Sequence, residues 1–394
     1  MGKPQGMDTV WWAILGLTTQ YISEQIDEEG YQLVVNSISD TVAQLNDSSV
    51  PGSGNNSGNG EQIAVDLSTS SKLIMNSKQP TCSIQPSEEF RFFMLRHWSL
   101  ENSMQYSSFI VSRLGTWSAR GKSVFRLVIA KLGLAISEIQ QSYTHLDPKL
   151  KSELPVRWDR VSSDYNLENA MFNSFVRTYG WKMPPISAAD HVCVSNALLI
   201  DSTVVADWKV AFYKAYDCLA NLNVLHTGLS CALKTQQSLV DLACSMLDQK
   251  LVKTLSKFRL AVINLPFSST STSSLLSSES HLMLIQLGNL LIDALRNHGN
   301  PAHAKLPFIL AYYDPQSLAY TVFGLTPPEY HASAQLPPST STYSGDLRNK
   351  FGLIFELSAT DCGAEITNSY FDTCIVSITE SKFKTFIDKL RKHL

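Results

Sequence analysis

The sequence is poor in the residue patterns that carry chemistry. Its seven cysteines include no C-x-x-C pair and no tight Cys/His cluster, so neither a disulfide framework nor a standard zinc site is signalled. His191-x-Cys193 offers two ligand types with no further pair at zinc-site spacing, and the evenly spaced Cys218, Cys231 and Cys244 suit packed helices. There is no G-x-x-x-x-G-K-[ST], no G-x-S-x-G and no H-E-x-x-H, which removes the sequence signatures of P-loop, serine-hydrolase and zincin chemistry. No cofactor is implied. The apolar run Val10–Leu17 is short of the roughly 20 residues that span a bilayer, and no basic segment followed by an apolar core marks a secretory leader. An intracellular protein without membrane contact is expected.

Charge is scarce in places and of one sign in others. Charged residues make up 17% of the chain and the formal net charge is −3, so no general affinity for nucleic acid follows from the total. From Met1 to Leu67 the only basic residue is Lys3, against nine acids, whereas Asn102 to Ser137 holds five basic residues and no acid. The five are Arg113, Arg120, Lys122, Arg126 and Lys131. On a helix Lys122 and Arg126 share a face, being four apart. Such a face is either simply solvated or a surface for an acidic partner or a DNA backbone.

What is present is a large apolar complement, 44% of the residues, enough for more than one domain. Asp8 precedes Val10, Ile14, Leu17 and Tyr21 at helical spacing and can cap that helix. Asn46 to Gly60 is rich in Gly, Ser and Asn and reads as a flexible loop. Ile63, Val65 and Leu67 then alternate as a strand would. Helices are expected from Glu88 to about Leu154, with Gly133 closing one and Asp147-Pro148 opening another. A second helical group is expected over Tyr165–Tyr179 and Val204–Leu255, the latter with Phe212, Ala215, Leu219, Leu222 and Leu229 facing inward. Beyond Phe258 the pattern changes to strands at Phe258–Leu265, Pro307–Tyr313, Ala319–Leu325 and Thr373–Ile378, the middle two forming a hairpin across Asp314-Pro315-Gln316-Ser317. Helices at Ser280–Asn297, Asp346–Ser358 and Glu380–His393 cover them, with loops at Pro266–Ser278 and Pro327–Ser344. The fold class is therefore mixed, α+β with α/β: a helical middle region followed by a C-terminal α/β domain. Boundaries are expected at 1–45, 46–87, 88–200 and 201–394.

One run is more specific than the rest, Phe90 to Leu134, FRFFMLRHWSLENSMQYSSFIVSRLGTWSARGKSVFRLVIAKLGL. Arg96-His97-Trp98-Ser99-Leu100, Arg113, Trp117-Ser118, Gly121 and Gly133-Leu134 stand there in a spaced order that resembles the cell division cycle 45 family. Trp11-Trp12-Ala13-Ile14-Leu15-Gly16-Leu17-Thr18 is similar to a helix of that family. Lys234-Thr235-Gln236-Gln237 matches a mid-chain helix, and Phe351-Gly352, Phe355-Glu356, Phe371-Asp372, Val376, Lys382-Phe383 and Phe386-Ile387 follow its closing order.

The resemblance implies a nuclear, non-enzymatic replication initiation and elongation factor, a scaffold joining the MCM ring and the GINS complex in the replicative helicase, with single-stranded or origin DNA and chromatin as further partners. It also implies descent from DHH phosphoesterases, a C-terminal domain like their DHHA1-type substrate-binding domain, and a missing DHH-like N-terminal domain of which residues 1–45 are the helical remnant. Trp11 and Trp12 would then be exposed for want of that domain. The alternative is a RecJ-like nucleic-acid phosphoesterase that has kept activity. Against it, two-metal chemistry needs paired Asp and His ligands, the sequence contains no Asp-His-His, and Asp190-His191-Val192 lacks the second histidine. Where active relatives place a metal-binding aspartate, the matching stretch is Thr18-Thr19-Gln20, and the DHHA1 domain's glycine-rich turn is not evident. Contact candidates are Arg113, Arg120, Lys122, Arg126 and Lys131. His97, Trp98 and Trp117 are weighed with them, although tryptophans in an apolar run are usually core.

Overall fold

The structure, a computed structural model, describes residues 6–22, 28–48, 83–180, 183–200, 208–264, 281–315, 317–327, 349–364 and 374–394. The strand expected at Ile63, Val65 and Leu67 lies outside these residues, as do most of the loops expected at 46–60 and 327–344 and the whole of that at 266–278. In chain order the elements are α1 (Gly6–Ile22), α2 (Glu28–Ser48), β1 (Ser83–Phe90), α3 (Leu100–Gln105), α4 (Ser108–Leu114), α5 (Ala119–Lys131), α6 (Ile136–Ile139), α7 (Pro148–Ser162), β2 (Met171–Thr178), β3 (Ile186–Ser187) and α8 (Ala188–Ile200). They continue with α9 (Trp208–Asp217), α10 (Leu222–Asp248), β4 (Val252–Thr254), β5 (Arg259–Ile263), α11 (His281–His298), β6 (Phe308–Asp314), β7 (Ala319–Leu325), α12 (Asn349–Cys362), β8 (Ile375–Thr379) and α13 (Glu380–His393). The fold is mixed α+β with two separate sheets. The chain divides into two compact units, one joining residues up to Phe90 to Met171–Cys193, the other joining Arg91–Ala170 to Val194–Leu394.

In the first unit, β1, β2 and β3 form an antiparallel sheet in that order, with β1 and β2 in register from Ser83↔Thr178 to Phe90↔Met171. The segment Tyr165–Tyr179, expected to be helical, therefore contains a strand. Phe172 and the continuous buried run Ser174–Arg177 show why: β2 is the central strand and is covered on both faces, which hides the alternation that would mark it. Helix α1 begins at Gly6, so Asp8 lies in its first turn, where a carboxylate complements the helix dipole and also pairs with Arg177. Trp11 is fully buried, which corrects the expectation that both tryptophans are exposed. From α2, Tyr31 stacks on Tyr21 with ring centroids 4.2 Å apart, and both rings meet Phe172.

In the second unit, five strands run in the order β4-β5-β6-β7-β8, with β5 and β6 parallel and every other pair antiparallel. The hairpin between β6 and β7 holds Asp314 opposite Ala319. Alternation along β6 sorts the core, since Phe308, Leu310 and Tyr312 face α10 and α11 while Ile309 and Ala311 face α12 and α13. Leu284, Leu287 and Leu291 of α11 fill the first side, and Phe351, Phe355, Phe386 and Leu390 fill the second. Helix α7 opens as expected, with Asp147 accepting from Lys149 N–H at 2.8 Å and Pro148 in its first turn. It nevertheless continues through Pro155 to Ser162. Burial of Leu154, Trp158 and Val161 outweighs the backbone hydrogen bond that Pro155 cannot make.

Candidate interaction surfaces

The spaced landmarks of residues 90–134 are folding devices. Ser99 caps α3 by accepting Asn102 N–H at 3.2 Å, and Trp98 stacks on Tyr106 with centroids 5.3 Å apart and planes 7° apart. Gln236 and Gln237 of α10 reach the same tyrosine, donating to its carbonyl at 2.8 Å and to its hydroxyl at 3.1 Å. Helix α4 ends at Gly115, whose φ of +66° is the left-handed conformation glycine adopts most readily. Ser118 then donates to Gly115 O at 2.9 Å and accepts from Gly121 N–H at 3.0 Å, capping α5. A Cβ on Gly121 would lie 2.0 Å from Gly115 O, so only glycine fits. Trp117 meets His298 edge-on at 5.1 Å, and His298 Nε2 donates to Arg113 O at 3.0 Å. His97 is held neutral, its pKa lowered to about 4 by burial and then by Arg96 and His226.

The five basic candidates divide. Arg113 is half-buried, donating from Nη1 to Asn166 O at 2.7 Å and Glu168 O at 3.3 Å, with its guanidinium 4.3 Å from the Phe109 ring centroid. Burial lowers its pKa, yet an arginine stays charged. Lys131 pairs with Asp164 at 2.9 Å and lies over Tyr165, and its hydrogen bond to Asp164 raises its pKa. Arg120, Lys122 and Arg126 remain exposed on α5, with Lys122 and Arg126 on one face four residues apart and no ion pair for the three among the described residues.

No group of three or more His, Cys, Asp or Glu is arranged to hold a metal ion among the described residues. His191 is fully buried in the first unit, where its Nδ1 accepts from Trp11 Nε1 at 3.2 Å. Cys193 is partly exposed, yet dense packing and then Asp190 push its thiol up to about 12, opposite to the thiolate a metal requires.

Helix α9 falls within the helical group expected over Val204–Leu255, but its facing differs from the expectation. Its attachment to the second unit uses small residues, Ala211 and Ala215, followed by Cys218, whose Sγ lies 3.4 Å from Ser195 Oγ of α8. Phe212, expected to face inward, is 49% exposed, as are Val210 (48%), Tyr213 (64%) and Tyr216 (43%). The helix turns its small side in and its aromatic side out, the reverse of the usual amphipathic choice. Covering the exposed parts of these four side chains would return about 4 kcal/mol. Helical periodicity at Phe212 and Tyr216 was visible, but not which side is covered.

The described residues thus carry an outward aromatic side on α9 and exposed cations on α5. Comparison with known proteins gives the chain a place: the CDC45 family model matches residues 3–393, and the chain belongs to that family. It is 27% identical to the cell division control protein 45 homolog of Schizosaccharomyces pombe, covering 97% of this chain and 60% of that protein. It is 26% identical to the homolog of Dictyostelium discoideum, covering 97% and 58%. The crystal structure of CDC45 from Entamoeba histolytica superposes with a TM-score of 0.67 at 22% identity, over 99% of this chain and 68% of that one. The chain thus spans about three-fifths of the curated relatives.

Proposed function

We propose that this chain is a non-enzymatic replication initiation and elongation factor acting in the nucleus, a scaffold that joins the MCM ring and the GINS complex. Membership of the CDC45 family supports this reading, and the outward aromatic face of α9 is the observation that carries it. Phenylalanine and tyrosine clustered on one exposed helix face are residues of the kind that dominate protein interfaces. Arg120, Lys122 and Arg126 serve as a weaker contact to origin or single-stranded DNA, while Arg113 and Lys131 are tied into the fold. The test is co-purification with recombinant MCM ring and GINS. The wild-type chain should capture one or both, and the double variant Phe212→Ser, Tyr216→Ser should lose the capture while melting as the wild type does. Equal capture by both chains would remove α9 from the interface, and no capture by either would end the scaffold reading for this chain.

A further inference from the structure

The five-stranded sheet of the second unit has two edges, and they are built differently. At one, β4 is three residues long with Lys253 exposed at its centre, a short charged form that discourages any further strand. At the other, β8 reads Ile375-Val376-Ser377-Ile378-Thr379, with no charge, no proline and a majority of β-branched residues that favour strands. No strand pairs with the outer side of β8 among the described residues.

Which backbone groups of β8 point outward follows from the two ends of its pairing with β7. Gly324 N–H donates to Cys374 O at 2.9 Å, and Glu380 N–H donates to Leu318 O at 3.1 Å. Hydrogen-bonded pairs alternate in an antiparallel ladder, so Val322↔Val376 and Tyr320↔Ile378 are the pairs that exchange bonds. Ile375, Ser377 and Thr379 therefore turn their N–H groups away from β7, and Ile375 and Ser377 turn their C=O groups away as well. Ser377 is partly exposed and Thr379 is exposed, so solvent reaches this edge. Val376 and Ile378 meanwhile join the apolar cluster filled by α12 and α13.

A row of outward N–H and C=O groups is matched by another strand, and size selects between the two sources of one. A second copy pairing β8 with β8 would rest on a strand of five residues, whereas a stable dimer uses about 20–30 residues a side. An extended segment needs no more than the edge supplies, because ladder bonds give it affinity and alternate side chains give it specificity. Its composition follows from its neighbours. Residues set opposite Val376 and Ile378 extend an apolar surface, and the residue opposite Ser377 meets a hydroxyl. We propose that β8 is a docking edge for an extended, uncharged segment of a partner protein, in which β-branched apolar residues alternate with threonine or serine. The segment adds to the sheet as its sixth strand. Neither the aromatic side of α9 nor the cations of α5 enter this inference.

The probe is a fluorescent, end-capped peptide of alternating threonine and valine, about the length of an ordinary strand, titrated with the full chain by anisotropy. Methylation of every second backbone nitrogen leaves the peptide one open edge, and this form should bind the wild type as the unmodified peptide does. Methylation of every nitrogen removes all its donors with the side chains unchanged, and should weaken binding about tenfold or more. Ser377→Pro deletes an outward donor that β7 does not use, and should abolish binding while melting near the wild-type temperature. Ser377→Lys keeps every backbone group and adds the charge that guards natural edges, so it should weaken binding even where proline disturbs the fold. Ser377→Val should bind at least as well as the wild type, and the α9 double variant should bind equally. The proposal is overturned by no binding of the unmodified peptide, by equal binding of the fully methylated one, or by Ser377→Pro and Ser377→Lys binding as the wild type does. Sedimentation velocity adds one further outcome against it: a dimer that Ser377→Lys dissociates would make a second copy the occupant.

Discussion

Replacing Gly121 by alanine sets two effects of opposite sign against each other. Gly121 is the third residue of α5, and by helix propensity alone alanine there would stabilise by about 1 kcal/mol. The structure predicts the reverse. The new Cβ would sit 2.0 Å from Gly115 O and 2.7 Å from Leu114 O, and both atoms are backbone, so no side chain can swing away. Relief requires α5 to back off from the end of α4, which strains the packing by about 3 kcal/mol and weakens the Ser118 cap, worth about 1 kcal/mol. The net is a loss of roughly 3 kcal/mol, or about 6–12 °C in melting temperature for a domain of a few hundred residues. Differential scanning calorimetry of the wild type, Gly121→Ala and Ser118→Ala checks this, with Ser118→Ala expected to lose only the cap. A Gly121→Ala protein that melts at or above the wild-type temperature would refute the close approach and leave propensity in charge.

Two further predictions concern residues buried by the same framework. His97 has its pKa lowered to about 4 from an ordinary 6.5, so it favours folding fully above pH 6.5, and that contribution, about 3 kcal/mol, is lost as pH falls through 6.5 toward 4. Urea midpoints measured across that window should fall with pH for the wild type, and His97→Gln should remove most of the slope. Arg113→Ala should cost about 2–3 kcal/mol through two lost charge-assisted hydrogen bonds and the packing over Phe109, and Arg113→Lys should recover little of it because an ammonium lacks the planar fork. Thermal melting of the three proteins measures this, and full recovery by lysine would show that charge alone matters at that position.

The legibility of the chain follows its packing. The four strands beyond Phe258 were readable because β-branched and aromatic residues cluster between clear helices, whereas the three-residue β4, with two exposed positions, left no such signal. The segment holding β2 looked helical because Phe172, Phe175 and Val176 recur at helical spacing, while burial on both faces erased alternation. Strand β1, SIQPSEEF, is polar and holds a proline, as tolerated at the edge of a sheet. The cationic face of α5 was visible as an acid-free run, but the withdrawal of Arg113 and Lys131 from it was not. Their partners at Asn166, Glu168 and Asp164 lie 33 to 55 residues away.

The pairing of β1 with β2 has a consequence for how the chain is made. Phe90 must wait for Met171, about eighty residues later, before the first unit can close its sheet. At about 5–20 residues per second, that is a delay of roughly 4–16 seconds during synthesis. Throughout it, β1 is a nascent edge with no neighbour, and the features that looked merely polar become protective. Pro86 removes a backbone donor from that edge, and Glu88 and Glu89 place adjacent negative charges along it, which discourages a stray strand from another nascent chain. A sequence that reads poorly as a strand is thereby suited to remaining unpaired until its partner emerges.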